Sequence, residues 1–170
     1  MVKQSCLILI KPDGLVKSLT GNIITSLSEA KLKIIGTKIV SVKRELAEKH
    51  YNNLKEEKGE EIFEDVLKYI QGEYHTNRVL AMIYNGEDAI AKIREIAGAT
   101  NPENAEATTI RGRYGRIHSK TGVFENVMHA SDSEESTKRE IQLWFSPDEI
   151  VGNIYPTETG KEEIEIKKWK

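Results

Sequence analysis

The chain alternates between short apolar runs and stretches with the spacing of amphipathic helices. Cys6 to Ile10 is a compact apolar run of strand length, and Lys11-Pro12-Asp13-Gly14 stops it with turn residues. Thr20 stands where a helix cap is needed, and Ile23, Ile24, Leu27 and the stem of Lys31 trace one helical face. Ile34 to Val42, rich in β-branched residues, reads as a strand. Two helices follow, Glu45 to Lys55 with Leu46, Tyr51 and Leu54, and Glu61 to Ile70 with an apolar stripe, separated by Gly59. Glu73 to Asn77 reads as a loop and Arg78 to Tyr84 as a strand. Asn85-Gly86 then turns into a helix from Glu87 to Ala97, closed by Gly98. Ala99 to Met128 lacks sustained periodicity, and so long a loop in a compact domain calls for a function or disorder. A short helix from Ser133 to Glu140 precedes Ile141, Leu143 and Phe145, which alternate as a final strand would.

Two β-α-β units in this order predict an α+β protein. The expected architecture is a ferredoxin-like α/β sandwich, with a four-stranded antiparallel sheet covered by helices. Residues 1–150 form the expected domain. Residues 151–170 are a charged tail, in which Ile164, Ile166 and Trp169 offer anchors to the domain or a neighbouring subunit.

Composition narrows the function classes. The 170 residues suffice for one sizeable core. Lys and Arg number 25 against 27 Asp and Glu, and a net charge of -2 gives no argument for a specific nucleic acid or an anionic membrane. The lone cysteine, Cys6, has no disulfide partner in the chain and lies in an apolar run, as a buried small residue would. No apolar stretch has bilayer-spanning length and the first residues do not resemble a signal peptide, so a cytoplasmic location is the default expectation.

Candidate chemistry gathers around His129, in Asn126-Val127-Met128-His129-Ala130-Ser131-Asp132-Ser133. An imidazole is a nucleophile at neutral pH without prior deprotonation. Ser131 and Glu134 have capping-box spacing, which places His129 just before a helix start, where backbone N–H groups hold phosphoryl oxygens. Alone, the segment is more simply a structural histidine ahead of a cap. Lys11 follows an apolar strand, and Arg94 sits on a helix face. Thr100, Arg111 and Asn126 are loop donors suited to phosphate and sugar. Each has a bland reading as a surface residue; together they are an inventory for phosphoryl chemistry. Gly112 and Gly115 lack the frame of a P-loop or dinucleotide fingerprint, and no Cys/His cluster has metal-site spacing in sequence.

The separated motifs Ile10-Lys11-Pro12-Asp13-Gly14, Gly98-Ala99-Thr100-Asn101-Pro102, Thr109-Ile110-Arg111-Gly112 and Asn126 to Ser133 occur in the order of one family. Arg139-Glu140 and Leu143-Trp144-Phe145 continue that order. From about Cys6 to Ile150 the chain resembles the nucleoside diphosphate kinases. The resemblance implies ping-pong transfer of the terminal phosphoryl of a nucleoside triphosphate, usually ATP, to a nucleoside diphosphate through a phosphohistidine on His129. It implies that Glu140 holds the other imidazole nitrogen, with Ser133 close by, and that Lys11 and Tyr51 assist at the phosphoryl. Arg94, Thr100 and Arg111 are implied as phosphate ligands and Asn126 as the ribose contact. Magnesium, Mg2+, arrives on the nucleotide phosphates rather than in a protein cage. A homo-oligomer is implied, a hexamer in preference to a tetramer.

The sequence departs from the family's common pattern in places. Ile62, followed by Phe63, stands where a base-stacking phenylalanine is usual; Arg113 follows Arg111-Gly112 in place of aspartate; Phe124-Glu125 replaces Gly-Arg before Asn126. The segments at 73–77 and 113–124 are longer than usual. Two other readings compete. A catalytically quiet relative would not need both His129 and Glu140. An RNA-binding ferredoxin-like module using Arg111, Arg113 and Arg116 would need sheet aromatics, of which only Tyr84 and Phe145 are candidates.

Overall fold

A computed structural model describes residues 2–161, 165–167 and 169. In chain order the regular elements begin with β1 (Lys3–Ile10), α1 (Pro12–Val16), α2 (Thr20–Leu27), β2 (Lys33–Val40), α3 (Arg44–His50), α4 (Leu54–Lys58) and α5 (Glu60–Gln71). They continue with β3 (Val79–Glu87), α6 (Ala89–Ala97), α7 (Ile110–Tyr114), β4 (Arg116–Ile117), β5 (Phe124–Glu125), β6 (Met128–Ala130) and α8 (Glu134–Trp144). The main sheet has the order β2-β3-β1-β6, with every neighbouring pair antiparallel. β4 and β5 form a separate two-stranded hairpin.

From Cys6 to Ile10 β1 is apolar because that part of the sheet is covered on both faces. Cys6, Ile8 and Ile10 pack with α2, α6 and Met128 on one face; Leu7 and Leu9 pack with α3, α5 and α8 on the other. The expected antiparallel sandwich is therefore the observed one, but its fourth strand is not the expected one. Ile141 and Leu143 lie inside α8, and Phe145 directly follows it. Thr137, Glu140, Ile141 and Trp144 bury one helical face at positions i, i+3, i+4 and i+7, and two of those four are polar, which hid the helical period. The fourth strand is β6, read beforehand as the end of a loop.

Other boundaries moved for local reasons. Pro12 begins a single helical turn where a plain turn was expected, and Gly14 leaves room for the Val127 carbonyl, 2.9 Å from where a Cβ would stand. Thr20 is the first residue of α2 rather than its cap, and Lys31 is exposed in a left-handed turn. The helix expected over Glu45 to Lys55 breaks after His50, where the Arg139 guanidinium takes the Lys49 carbonyl at 2.9 Å. Asn85-Gly86 stays in β3, with the Asn85 amide on Ser5 Oγ, and the turn falls at Asp88 (φ 51°). In the tail, Ile154 and Tyr155 pack on the core, whereas Ile166 and Trp169 are exposed; Ile164 lies outside the described residues. Among the described residues no helix is long and apolar enough to cross a membrane.

Candidate active site

β6 carries His129 beside β1, paired with Leu9. One turn into the next connection, α1 starts from Lys11, so the nucleophile candidate and the lysine sit at adjacent strand ends. The link before β6 is unusual. Val127 adopts φ 60°, and Met128 N–H donates to the Asn126 carbonyl at 2.7 Å across it, as in a γ-turn. A β-branched residue in that conformation is strained and persists only when its surroundings hold it. Here they do. Val127 N–H donates to buried Asp13 (3.1 Å), and the Val127 carbonyl accepts from Lys11 N–H (2.9 Å). Tyr69 donates its hydroxyl to the other Asp13 oxygen.

His129 Nε2 lies 2.8 Å from Glu140 Oε2, and the Ser131 hydroxyl donates to the same oxygen at 2.6 Å. Burial works to raise the Glu140 pKa, but hydrogen bonding and charge from His129, then His50 and Ser131, hold it below the ordinary carboxylate value. A carboxylate on Nε2 fixes the proton there and leaves Nδ1 as the free lone pair. Behind the imidazole, His50 meets His129 edge to face at 4.6 Å between ring centroids. Trp144 donates its indole N–H to His50 Nδ1 (3.1 Å), and burial, then His129, push the His50 pKa well down. His50 is thus a neutral ring with its proton on Nε2.

Cations and donors surround this pair. Lys11 Nζ donates to Asn126 Oδ1 (2.9 Å), and the Asn126 amide donates to the Thr100 carbonyl (2.7 Å). Arg111 ties the end of α6 to β6 through the Gly98 carbonyl (2.7 Å) and the Met128 carbonyl (3.2 Å). Gly98 (φ 84°) is required there, since a Cβ would stand 2.2 Å from Thr109 Oγ1. Burial, then the charge of Arg94, lowers the Arg111 pKa to about 10, which leaves it charged at neutral pH and places Arg94 within its field. Burial, then Glu140 and Asp13, raise the Tyr51 pKa, so its phenol stays protonated. Two buried donors on this wall, Tyr51 OH and Arg111 Nε, have no hydrogen-bond partner.

The structure brings together His129, Glu140, Lys11, Asn126, Thr100, Arg111, Arg94 and Tyr51. It does not bring Ser133 to Glu140. Ser133 is the exposed cap of α8, accepting from Ser136 N–H, and Ser131 is the serine on Glu140. The expected cap at Ser131 is corrected in the same way, because its side chain turns inward from β6. Phe63 is 8% exposed and packs in the core of α5, while Ile62 is 46% exposed, so only Ile62 is free to cover a base. Sequence reading missed His50, Trp144 and the structural role of Asp13. The only sequence signal for Asp13 was its place in a turn motif.

His50, His129 and Glu140 also place three potential metal-ligand atoms within 4.8 Å of one another. His129 Nε2 is on Glu140, however, and the unprotonated His50 nitrogen is on Trp144. The arrangement suits a hydrogen-bonded imidazole better than an oxygen-seeking cation such as magnesium.

An imidazole oriented by a buried carboxylate, on a sheet that also carries buried Lys11 and Arg111, fits a phosphoryl-transferring enzyme. A model of the nucleoside diphosphate kinase family matches residues 4–150. A nucleoside diphosphate kinase of Listeria monocytogenes serotype 4b is 44% identical over 144 residues, covering 85% of this chain and 90% of that protein. The enzyme of Pyrococcus furiosus is 44% identical over 147 residues, 86% of each chain. Among solved structures, the Borrelia burgdorferi nucleoside-diphosphate kinase, a transition-state mimic with bound vanadate and ADP, superposes with a TM-score of 0.80 at 31% identity, covering 91% of this chain and 94% of that one. The Aquifex aeolicus enzyme gives 0.75 at 31% identity, covering 88% and 100%. The chain belongs to the nucleoside diphosphate kinase family.

Proposed function

We propose that this enzyme moves the terminal phosphoryl group of a nucleoside triphosphate, usually ATP, to a nucleoside diphosphate by a ping-pong route through His129. The observation that carries the reading is the Glu140 carboxylate on His129 Nε2, which leaves Nδ1 as the free lone pair, on a strand whose Met128 carbonyl is held by Arg111. In the first half-reaction Nδ1 forms a bond to the γ-phosphorus. The bond from that phosphorus to the bridging oxygen breaks, and the nucleoside diphosphate leaves with the electron pair. In the second half-reaction the terminal oxygen of another diphosphate attacks, and the N–P bond breaks. Glu140, assisted by Ser131, stabilises the imidazole as positive charge develops. Lys11 and the phenol of Tyr51 meet the transferred group, while Arg94, Thr100 and Arg111 hold the other phosphates. Asn126 meets the ribose, and Ile62 covers the base without reading its edge, so base discrimination is weak. Magnesium comes as part of the substrate, on the phosphates. Residues 1–150 are the catalytic domain in this reading, working in the cytoplasm as a homo-oligomer.

The test is incubation with ATP labelled in its γ-phosphate. The expected protein label is stable to alkali, labile to acid and discharged by a nucleoside diphosphate. His129→Ala should abolish the label while the protein still folds and binds nucleotide. Near-normal transfer by His129→Ala would end this mechanism.

A further inference from the structure

Glu125 is 1% exposed, yet it is the residue immediately before Asn126. Alternation along β5 turns Phe124 outward and Glu125 inward. Its two oxygens are taken by two different segments. His75 Nε2, from the loop after α5, lies 2.6 Å from Oε1; Arg116 Nε, opposite it on β4, donates to Oε2 at 2.5 Å. Burial alone raises a carboxyl pKa, but the hydrogen bonds from Arg116 and His75 hold Glu125 below its ordinary value. A second contact joins the same segments, with the rings of Tyr74 and His118 stacked at 5.8 Å and 11°. These are the two stretches, 73–77 and 113–124, that the family resemblance marks as longer than usual.

The consequence falls on Asn126. Its side chain must reach Lys11 and Thr100 at once, which only a fixed backbone permits. On its far side Val127 N–H is pinned by Asp13. On its near side the chain is pinned by Glu125. We propose that Glu125 is a positioning residue for the nucleotide sugar: a His75–Glu125–Arg116 clamp, built from the two long segments, sets the Asn126 amide for the ribose. This rests on the assignment of Asn126 made above.

The test uses the full chain and two readouts. One is hydrogen exchange of the Asn126 side-chain amide by NMR, which needs no substrate. The other is the ratio of kcat/KM for ADP to that for 2′,3′-dideoxy-ADP. Glu125→Gln and Arg116→Ala should speed the exchange by about tenfold, as loss of a charge-assisted hydrogen bond implies. They should also move the ratio toward that of Asn126→Ala, raising KM for ADP more than they lower kcat. His75→Gln keeps a donor and should fall between these variants and wild type. Adding Glu125→Gln to Asn126→Ala should change the ratio no further, because the clamp acts through that amide. Unchanged exchange in a folded Glu125→Gln protein, or additive losses in the double variant, would overturn the proposal. If Glu125→Gln does not fold, Arg116→Ala and His75→Gln decide by the same readouts. If exchange responds but Asn126→Ala leaves the ratio untouched, the ribose assignment falls, and the substrate half of the proposal with it.

Discussion

At the scale of single residues, Lys11 shows how burial shapes this site. Burial, aided by the nearby charge of Arg111 and opposed by Asp13, lowers its pKa from 10.5 to about 8. The free enzyme therefore loses this charge, assigned to the phosphates in the proposed function, as pH rises through about 8. We expect kcat/KM for nucleotide to fall above that pH, and the limb to shift upward in kcat, since bound phosphates restore the proton. Lys11→Arg should remove the alkaline limb even if it lowers the rate, and an unchanged limb would assign it elsewhere. The sign for stability is the opposite. Between about 8 and 10.5 the unfolded chain binds a proton that the folded one has lost, so this group makes stability rise with pH in that window. Much of the site was legible at this scale. Lys11, Arg111, Asn126 and His129 were legible as candidates through the separated motifs of the family they resemble, each having a bland reading alone. His50 and Trp144 were not, because a histidine and an indole that hydrogen-bond each other across the fold leave no local pattern.

Among the elements, α8 does the most. It carries Glu140 to His129 on one turn and Trp144 to His50 on the next. Its two nearby serines have separate duties, which substitution should resolve. Ser133→Ala removes the cap, costing about 1 kcal/mol and lowering Tm by about 2–4 °C for a chain of this size, with transfer almost unchanged. Ser131→Ala removes a hydrogen bond to the orienting carboxylate and should slow transfer by about tenfold with a smaller change in Tm. Calorimetry and steady-state assays of the two variants check the split, and a reversed pattern would return Ser133 to the site. The sequence announced the start of α8 but not its length. Glu140 and Thr137 are buried for function and packing, so a hydrophobic pattern skips them and leaves Ile141, Leu143 and Phe145 looking like a strand. The central strand β1 was plain for the converse reason, since its doubly covered part, Cys6 to Ile10, is an unbroken apolar run.

At the scale of the whole molecule, a four-stranded antiparallel sheet covered by helices followed from the order of elements, while the identity of the last edge strand did not. Three residues inside a long irregular stretch cannot show a period. The other edge, β2, exposes Ile34 (48%) and Ile39 (58%), which an isolated chain gains nothing by presenting. With exposed Ile166 and Trp169 in the tail, these residues offer apolar surface to the proposed homo-oligomer. Light-scattering mass across a dilution series should give a single closed oligomer, and truncation after Thr157 should loosen it. A monomer at every concentration would refute assembly and leave catalysis untouched.

The short strand β6 has a further meaning for how the enzyme comes into being. His129 is held only when Met128 to Ala130 pair with Ile8 to Ile10, and that pairing must close nearly the whole intervening chain. Its orienting carboxylate comes later still, on α8. A chain emerging from synthesis therefore carries Lys11 early but has no carboxylate on its imidazole until its last helix has docked. Half-made or partly unfolded molecules therefore lack the oriented imidazole on which the proposed transfer depends.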